Sequence, residues 1–321
     1  MKLGVIGTGA ITRSMLAEYQ RCGQFQIHAI CSRSQEKGRA MAEDFSIAKV
    51  YTVLEDMLAD EEVEIVYVAT PNSIHFSQAK AALLAGKHVI CEKPFAPTVA
   101  EAQELVDLAK ENHLLLYEAI TTAHHPGYGL VKELLPKVGS LKVVMATFCQ
   151  FSSRYPALLK GQVSPVLDPA YKGGALMDIN LYNIHFVVGL FGKPEKVDYF
   201  PNIYKNGVDT SGLLVLRYPG FVCQCVGAKD CAADNGVQIV GEEGRIFVGP
   251  TASFCQTVDY TPRGGETQKH FWEENAWYHE VQDLGRLFAE KDYDACYKAL
   301  ETTLDVVAVL EEARKAGNLG F

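Results

Sequence analysis

Leu3-Gly4-Val5-Ile6-Gly7-Thr8-Gly9-Ala10-Ile11-Thr12 is the stretch that decides the fold. A short apolar run enters a glycine turn, and an amphipathic run over residues 11–21 leaves it. Strand, tight turn and helix in that order open a parallel sheet that binds a dinucleotide. Gly7 and Gly9 permit the turn and let backbone approach a pyrophosphate. That group then rests on the positive helix N-terminus, beside Ala10 and Ile11. The third position of the fingerprint is Thr12, where glycine is usual. The plain alternative is a surface turn; the strand before and the helix after favour the nucleotide.

Outward from this point the alternation continues to about residue 120. Continuous apolar runs recur at residues 27–31, 65–68, 88–91 and 114–117, separated by amphipathic runs at 35–44, 73–84 and 99–111. Apolar strands alternating with helices predict a doubly wound parallel sheet covered on both faces. Beyond residue 120 the pattern changes. A helix at 129–135 and a long strand at 140–151 precede a strongly apolar helix at 173–192. Strands at 197–203, 212–218, 221–227, 236–240 and 245–248 follow with short turns. Helices at 274–289 and 295–316 end the chain. The predicted fold class is therefore α/β plus α+β, with a dinucleotide-binding domain at 1–120. A catalytic domain with a largely antiparallel open sheet spans 121–321.

The end of the second strand selects the dinucleotide. An NAD site commonly places an acid there for the ribose 2′-OH, whereas this chain has Cys31-Ser32-Arg33-Ser34. A guanidinium pairs with a 2′-phosphate and hydroxyls donate to it, so Ser32 and Arg33 point to NADP(H) in preference to NAD(H). The alternative is that both are solvated loop residues.

A net charge of −9 with no Lys/Arg-rich run argues against nucleic acid or a membrane surface as partner. No secretory leader is read before the first strand, and no apolar run is read as a bilayer span. Nine scattered cysteines in a chain with ample core fit reduced thiols, and hence the cytoplasm. Cys223 and Cys225 share a strand face, but no second ligand pair accompanies them, so no metal is expected.

Three further motifs carry a resemblance. They are Ala69-Thr70-Pro71-Asn72-Ser73-Ile74-His75, then His88-Val89-Ile90-Cys91-Glu92-Lys93-Pro94, then Gly173-Gly174-Ala175-Leu176-Met177-Asp178-Ile179-Asn180-Leu181-Tyr182. With the opening glycine turn, they resemble the glucose–fructose oxidoreductase/inositol dehydrogenase/rhizopine-catabolism (Gfo/Idh/MocA) family over residues 1–192. The resemblance implies cofactor contacts from Thr70, Pro71, Asn72, His75, Glu92 and Lys93, with Lys93 beside the nicotinamide. It implies that Asp178 and Tyr182 complete the catalytic site. Tyr at the last position resembles the glucose–fructose oxidoreductase and dihydrodiol dehydrogenase branch and not the inositol dehydrogenases, which use His. The resemblance further implies a homodimer through the second-domain sheet. Asn180 departs from the usual Gly, and is expected either to crowd the cofactor or to add a hydrogen bond near the substrate.

The chemistry also stands on the residues themselves. Asp178, Tyr182 and His185, spaced four and three apart, share one face of an otherwise apolar helix. Such a stripe faces a cleft or a buried polar network. Removing hydride from an alcohol carbon also requires loss of the hydroxyl proton. Tyrosine, with a free pKa of about 10, becomes a competent base when an ammonium favours its anion. Lys93 can supply that charge, and Asp178 can hold the lysine or a substrate hydroxyl. The alternative is a buried hydrogen-bonded core trio without chemistry. His185 reads equally as core histidine or substrate ligand. His124 and His125 at the domain junction read as helix-entry polarity or pocket lining. Trp272, Trp277 and Tyr278 read as pocket wall or core. The activity expected is hydride transfer between NADP(H) and a CH–OH group of a sugar, polyol or cyclic diol, a small carbohydrate-like substrate. The alternative, a non-catalytic NADP-binding regulator of the same fold, has no need of Lys93, Asp178 and Tyr182 together.

Overall fold

A computed structural model describes residues 1–320. The chain divides into two compact units. The first holds Met1–Ala119 and Glu280–Leu304; the second holds Ile120–His279 and the residues from Asp305 onward. The break after Ala119 falls where residue 120 was expected to divide the chain, but the 121–321 span is corrected, because Glu280–Leu304 returns to the first unit. Its side chains show why. Cys296 Sγ bonds the Leu116 carbonyl at 3.2 Å, Thr303 Oγ1 donates to Glu118 at 3.0 Å, and the Tyr293 ring stacks on His113 at 3.9 Å.

The first unit is built on a six-stranded parallel sheet. Its strands are β1 (Lys2–Ile6), β2 (Gln26–Cys31), β3 (Lys49–Tyr51), β4 (Ile65–Val68), β5 (His88–Glu92) and β6 (Leu116–Ala119). They lie in the order β3-β2-β1-β4-β5-β6. Helices α1 (Ala10–Cys22), α2 (Gln35–Asp44), α3 (Leu54–Leu58), α4 (His75–Leu84) and α5 (Val99–Glu111) make the crossovers. Strands buried on both faces, such as Ile65–Val68, must be apolar throughout, which is why they read as unbroken runs. The order reverses between β1 and β4. Open α/β sheets bind ligands outside the carboxyl ends of their strands at such a switch.

The second unit begins with α6 (Thr121–His124) and α7 (Pro126–Leu134). Its sheet comprises β7 (Leu141–Cys149), β8 (Lys196–Ile203), β9 (Asp209–Tyr218), β10 (Phe221–Ala228), β11 (Gly236–Gly241), β12 (Gly244–Gly249), β13 (Thr257–Pro262) and β14 (Gln268–Phe271). Their order is β14-β13-β12-β11-β7-β10-β9-β8, antiparallel except for the parallel β7–β10 pair. Helices α8 (Tyr155–Leu159) and α9 (Leu181–Phe191) lie between β7 and β8; α10 (Ala276–Glu290) and α11 (Tyr293–Ala316) end the chain. Inward residues of the sheet, including Val144, Ala146, Cys223 and Cys225, join Leu181, Ile184 and Val188 of α9 in one core. The run Pro169–Phe191 meets the length and hydropathy of a membrane span, contrary to the expectation from sequence; most of it (72%) is buried inside the protein, as a core helix would be.

Candidate active site

In the first unit the glycine turn does what its sequence implies. Gly7 has φ +114°, and a Cβ there lies 2.1 Å from the Ala69 carbonyl oxygen, so no other residue fits. Gly9 is the N-cap of α1, with no side chain capping the helix and no acid in its first turn. A Cβ on Gly9 meets nothing nearer than Thr12 Oγ1 at 4.0 Å, and Ala10 and Ile11 are exposed. Open space over uncapped N–H groups at the positive helix end fits a pyrophosphate. Thr12, at the irregular third position, is fully buried and leaves that space clear.

Beyond β2, Ser32 is buried and its Oγ accepts from the Ser34 amide at 3.3 Å, while Arg33 is exposed. Ser34 in turn caps α2, accepting from the Lys37 amide at 3.3 Å. Beyond β4, Thr70, Pro71 and Asn72 are half-buried, as is Lys93 beyond β5. Two residues expected on the cofactor serve the backbone. His75 is only 1% exposed, with Nδ1 2.9 Å from the Pro94 carbonyl and Nε2 2.7 Å from that of Thr70. It clamps the loop after β4 to the loop carrying Lys93. Burial, chiefly, lowers its pKa. Glu92 is buried as well; it accepts from Tyr67 at 2.5 Å and from the Lys93 amide at 3.2 Å. Both residues hold the Lys93 turn.

In the second unit the two glycines are forced by contacts. A Cβ on Gly173 falls 2.6 Å from the Pro165 carbonyl, and one on Gly174 (φ +121°) falls 2.0 Å from Asp209 Oδ1. Asp209, fully buried, accepts from the Leu176 amide and from the Tyr199 hydroxyl, each at 2.7 Å. Burial raises its pKa. From this anchor the backbone makes a π-helical turn, Leu176–Asn180, before settling into α9. Such turns add a residue, shift the faces of the helix and recur at functional sites.

The shifted register divides the expected polar stripe. Between residues 173 and 188 only Asp178 and Tyr182 keep solvent access; His185 is buried. Tyr182 packs on Phe148 with ring centroids 6.0 Å apart. Asp178 Oδ2 forms an ion pair with Lys229, a residue sequence reasoning missed. Asn180 is fully buried, its Nδ2 donating to the Cys225 carbonyl at 3.1 Å and its Oδ1 accepting from Asn183. It packs against Gly227, where a Cβ lies 2.5 Å from that of Asn180. The expected substrate contact is therefore corrected: Asn180 ties the π turn to β10.

Of the histidine pair, His124 is half-buried and His125 buried. His125 Nδ1 accepts from the Gly127 amide at 3.0 Å, and burial, aided by His279, lowers its pKa to about 4. Its ring lies edge-on to Trp272, as a core histidine. Cys223 and Cys225 are fully buried, and burial pushes Cys225 up to about 12, a poor ligand. His28, Asp60 and Glu62 also converge, but the Lys49 ammonium, 3.0 Å from Asp60 and 3.1 Å from Glu62, already takes the cation's place.

Residues 1–119 match the oxidoreductase family with an NAD-binding Rossmann fold, and residues 131–247 match the Gfo/Idh/MocA C-terminal domain. The uncharacterized oxidoreductase YgjR of Escherichia coli is 37% identical over 84% of this chain and 81% of its own length. The chain belongs to the Gfo/Idh/MocA oxidoreductase family. Two other members give the branch. The NADP(+)-named scyllo-inositol 2-dehydrogenase IolU of Bacillus subtilis is 32% identical over 98% of this chain and 96% of its own. Human trans-1,2-dihydrobenzene-1,2-diol dehydrogenase is 31% identical over 69% and 66%. A 3-ketoreductase from Actinomadura kijaniata, solved with TDP-benzene and NADP, superposes with a TM-score of 0.85 over 98% of this chain and 97% of its own. At 21% identity that likeness shows the shared Gfo/Idh/MocA fold.

Proposed function

We propose that this protein is a cytoplasmic NADP(H)-dependent dehydrogenase acting on a CH–OH group of a sugar, polyol or cyclic diol. The observation that carries the reading is the pairing of Asp178 and Tyr182 as the two solvent-reaching side chains of a buried helical segment, in a chain that also keeps Lys93. The α1 N-terminus would hold the pyrophosphate, and Ser32 and Arg33 the 2′-phosphate, with Thr70, Pro71, Asn72 and Lys93 toward the nicotinamide end. NADP(+) bound there would accept the hydride released from the carbinol carbon. Tyr182 takes the hydroxyl proton, and Lys93 provides the positive charge that favours the phenolate. Asp178 accepts a hydrogen bond from a substrate hydroxyl and so orients the reacting carbon. His124 would add a further substrate contact, and the same chain is proposed to act as a homodimer.

NADP(+) against NAD(+) on a panel of aldoses, inositols and cyclic diols tests this reading, with turnover and cofactor affinity measured together. Turnover of at least one alcohol with NADP(+) preferred is the expected result. Arg33→Ala should weaken NADPH about 10–100-fold and NADH little, because a hydrogen bond to a charged group contributes about 1.5–3 kcal/mol. Equal losses for both cofactors remove Arg33 from the site. Tight NADPH binding with no turnover on any alcohol favours the regulator.

A further inference from the structure

Lys229 follows β10 and is 7% exposed, although nothing in its local sequence predicts burial. An ammonium taken from water is costly unless it is paired. Its backbone is fixed on both sides, the N–H donating to the Thr210 carbonyl at 2.7 Å and the carbonyl accepting from the Ser152 amide at 2.9 Å. Two other acids lie nearby, and the Lys229 charge also acts on the buried Asp209. Asp209 holds Tyr199 and the Leu176 amide, and Asp230 accepts from Thr210 and Ser211 at 2.7 and 3.1 Å. The Lys229 ammonium is directed at Asp178 Oδ2, and the Asp178 side chain keeps 26% of its surface exposed.

We propose that Lys229 is a positioning residue: it fixes the Asp178 carboxylate from behind, so that Asp178 receives a substrate hydroxyl as a charged and oriented acceptor. This rests on the reading of Asp178 as a substrate-binding group. A pair kept for stability alone is poorly explained, because the desolvation cost of burying the ammonium can offset what the pair gains. The arrangement also divides the labour. Asp178 binds and orients the substrate hydroxyl, which leaves proton transfer to Tyr182.

Full-length Lys229→Met, Lys229→Arg, Asp178→Asn and the Lys229→Met/Asp178→Asn double variant are the test. KM and kcat are measured with NADP(+) on the alcohol panel, scyllo-inositol and trans-1,2-dihydrobenzene-1,2-diol included, alongside NADPH affinity and melting temperature. Lys229→Met should raise KM about 10–100-fold, lower kcat less, and leave NADPH affinity unchanged. Lys229→Arg should recover most of the loss, and the double variant should match Asp178→Asn within about twofold. Where Lys229→Met fails to fold, the double variant, which no longer strands the Asp178 carboxylate, decides. Wild-type KM in Lys229→Met, Arg no better than Met, or a double variant much worse than Asp178→Asn each overturns the proposal. A wild type inert on every alcohol overturns the dehydrogenase reading and this inference together; an active wild type indifferent to Lys229 overturns the inference alone.

Discussion

Tyr182 tests the chemistry most directly, because Tyr182→Phe keeps the ring on Phe148 and removes the hydroxyl proposed to carry the proton. NADPH affinity should hold while turnover falls about 10²–10⁴-fold, the usual contribution of general acid–base catalysis. Lys93→Met should cost a similar factor, and the double variant little more, since residues acting as a unit are not additive. Near-normal turnover in Tyr182→Phe reassigns the proton to another group. At this scale the sequence was most informative where a residue type is forced. Gly7 and Gly174 were legible because only glycine fits so close to a carbonyl or a carboxylate. Lys229 was not legible: a lysine after a strand reads as surface, and its burial depends on Asp178, distant along the chain. Glu92, His75 and Asn180 were found by motif, but their partners, backbone carbonyls and amides together with Tyr67 and Asn183, are ones a motif does not name.

The parallel sheet could be read as an ordered set of elements because burial on both faces demands unbroken apolar runs, whereas β3, β13 and β14 escaped. Lys49–Tyr51 is three half-buried residues, and β13 and β14 mix polar and apolar side chains at a sheet edge. The π turn was hidden because residues 175–188 are apolar nearly all round and carry no clean period. Its anchor predicts a cost. Gly174→Ala must leave φ +121° or displace Asp209 from the Leu176 amide, and strain of this kind costs about 1–3 kcal/mol. A lower melting temperature with reduced turnover is expected; a wild-type melt means the turn tolerates the change. The returning C-terminal segment carries a second test. Glu280 is buried, and burial, then Glu92 and Glu118, raise its pKa; burial also raises that of Glu92. The folded state thus holds protons that the unfolded chain releases above a pH of about 4.3. The stabilisation is full below that value and is lost as pH rises toward the raised folded values. Glu280→Gln should therefore raise the melting temperature at pH 8 more than at pH 5, by about 2–4 °C per kcal/mol gained. An equal effect at both pH values rules out a buried titrating acid.

For the molecule as a whole, the open face of the eight-stranded sheet asks to be covered. One face packs on the core; on the other, Val143 and Met145 of β7, Val215 of β9 and Val226 of β10 stay half-exposed, beside more open Val222 of β10 and Phe247 of β12. Register brings Val222 beside Val143 and Gln224 beside Met145, so these side chains form adjoining rows. Phe200 of β8 is 61% exposed at the far side of the same sheet. Exposed apolar residues grouped on one sheet face, among Gln224, Gln238 and Arg217, are of the kind an interface covers, and a two-fold related copy presents the same surface. A dimer burying this face is expected to remain associated at micromolar concentration. Light scattering coupled to size exclusion should return twice the mass of one chain. Val222→Asp with Val226→Asp places like charges opposite one another at a two-fold interface and should shift the mass to that of one chain. The inward core is untouched by these changes, so the melt should stay cooperative. A wild-type monomer at micromolar concentration, or a dimer indifferent to both aspartates, refutes this face as the interface.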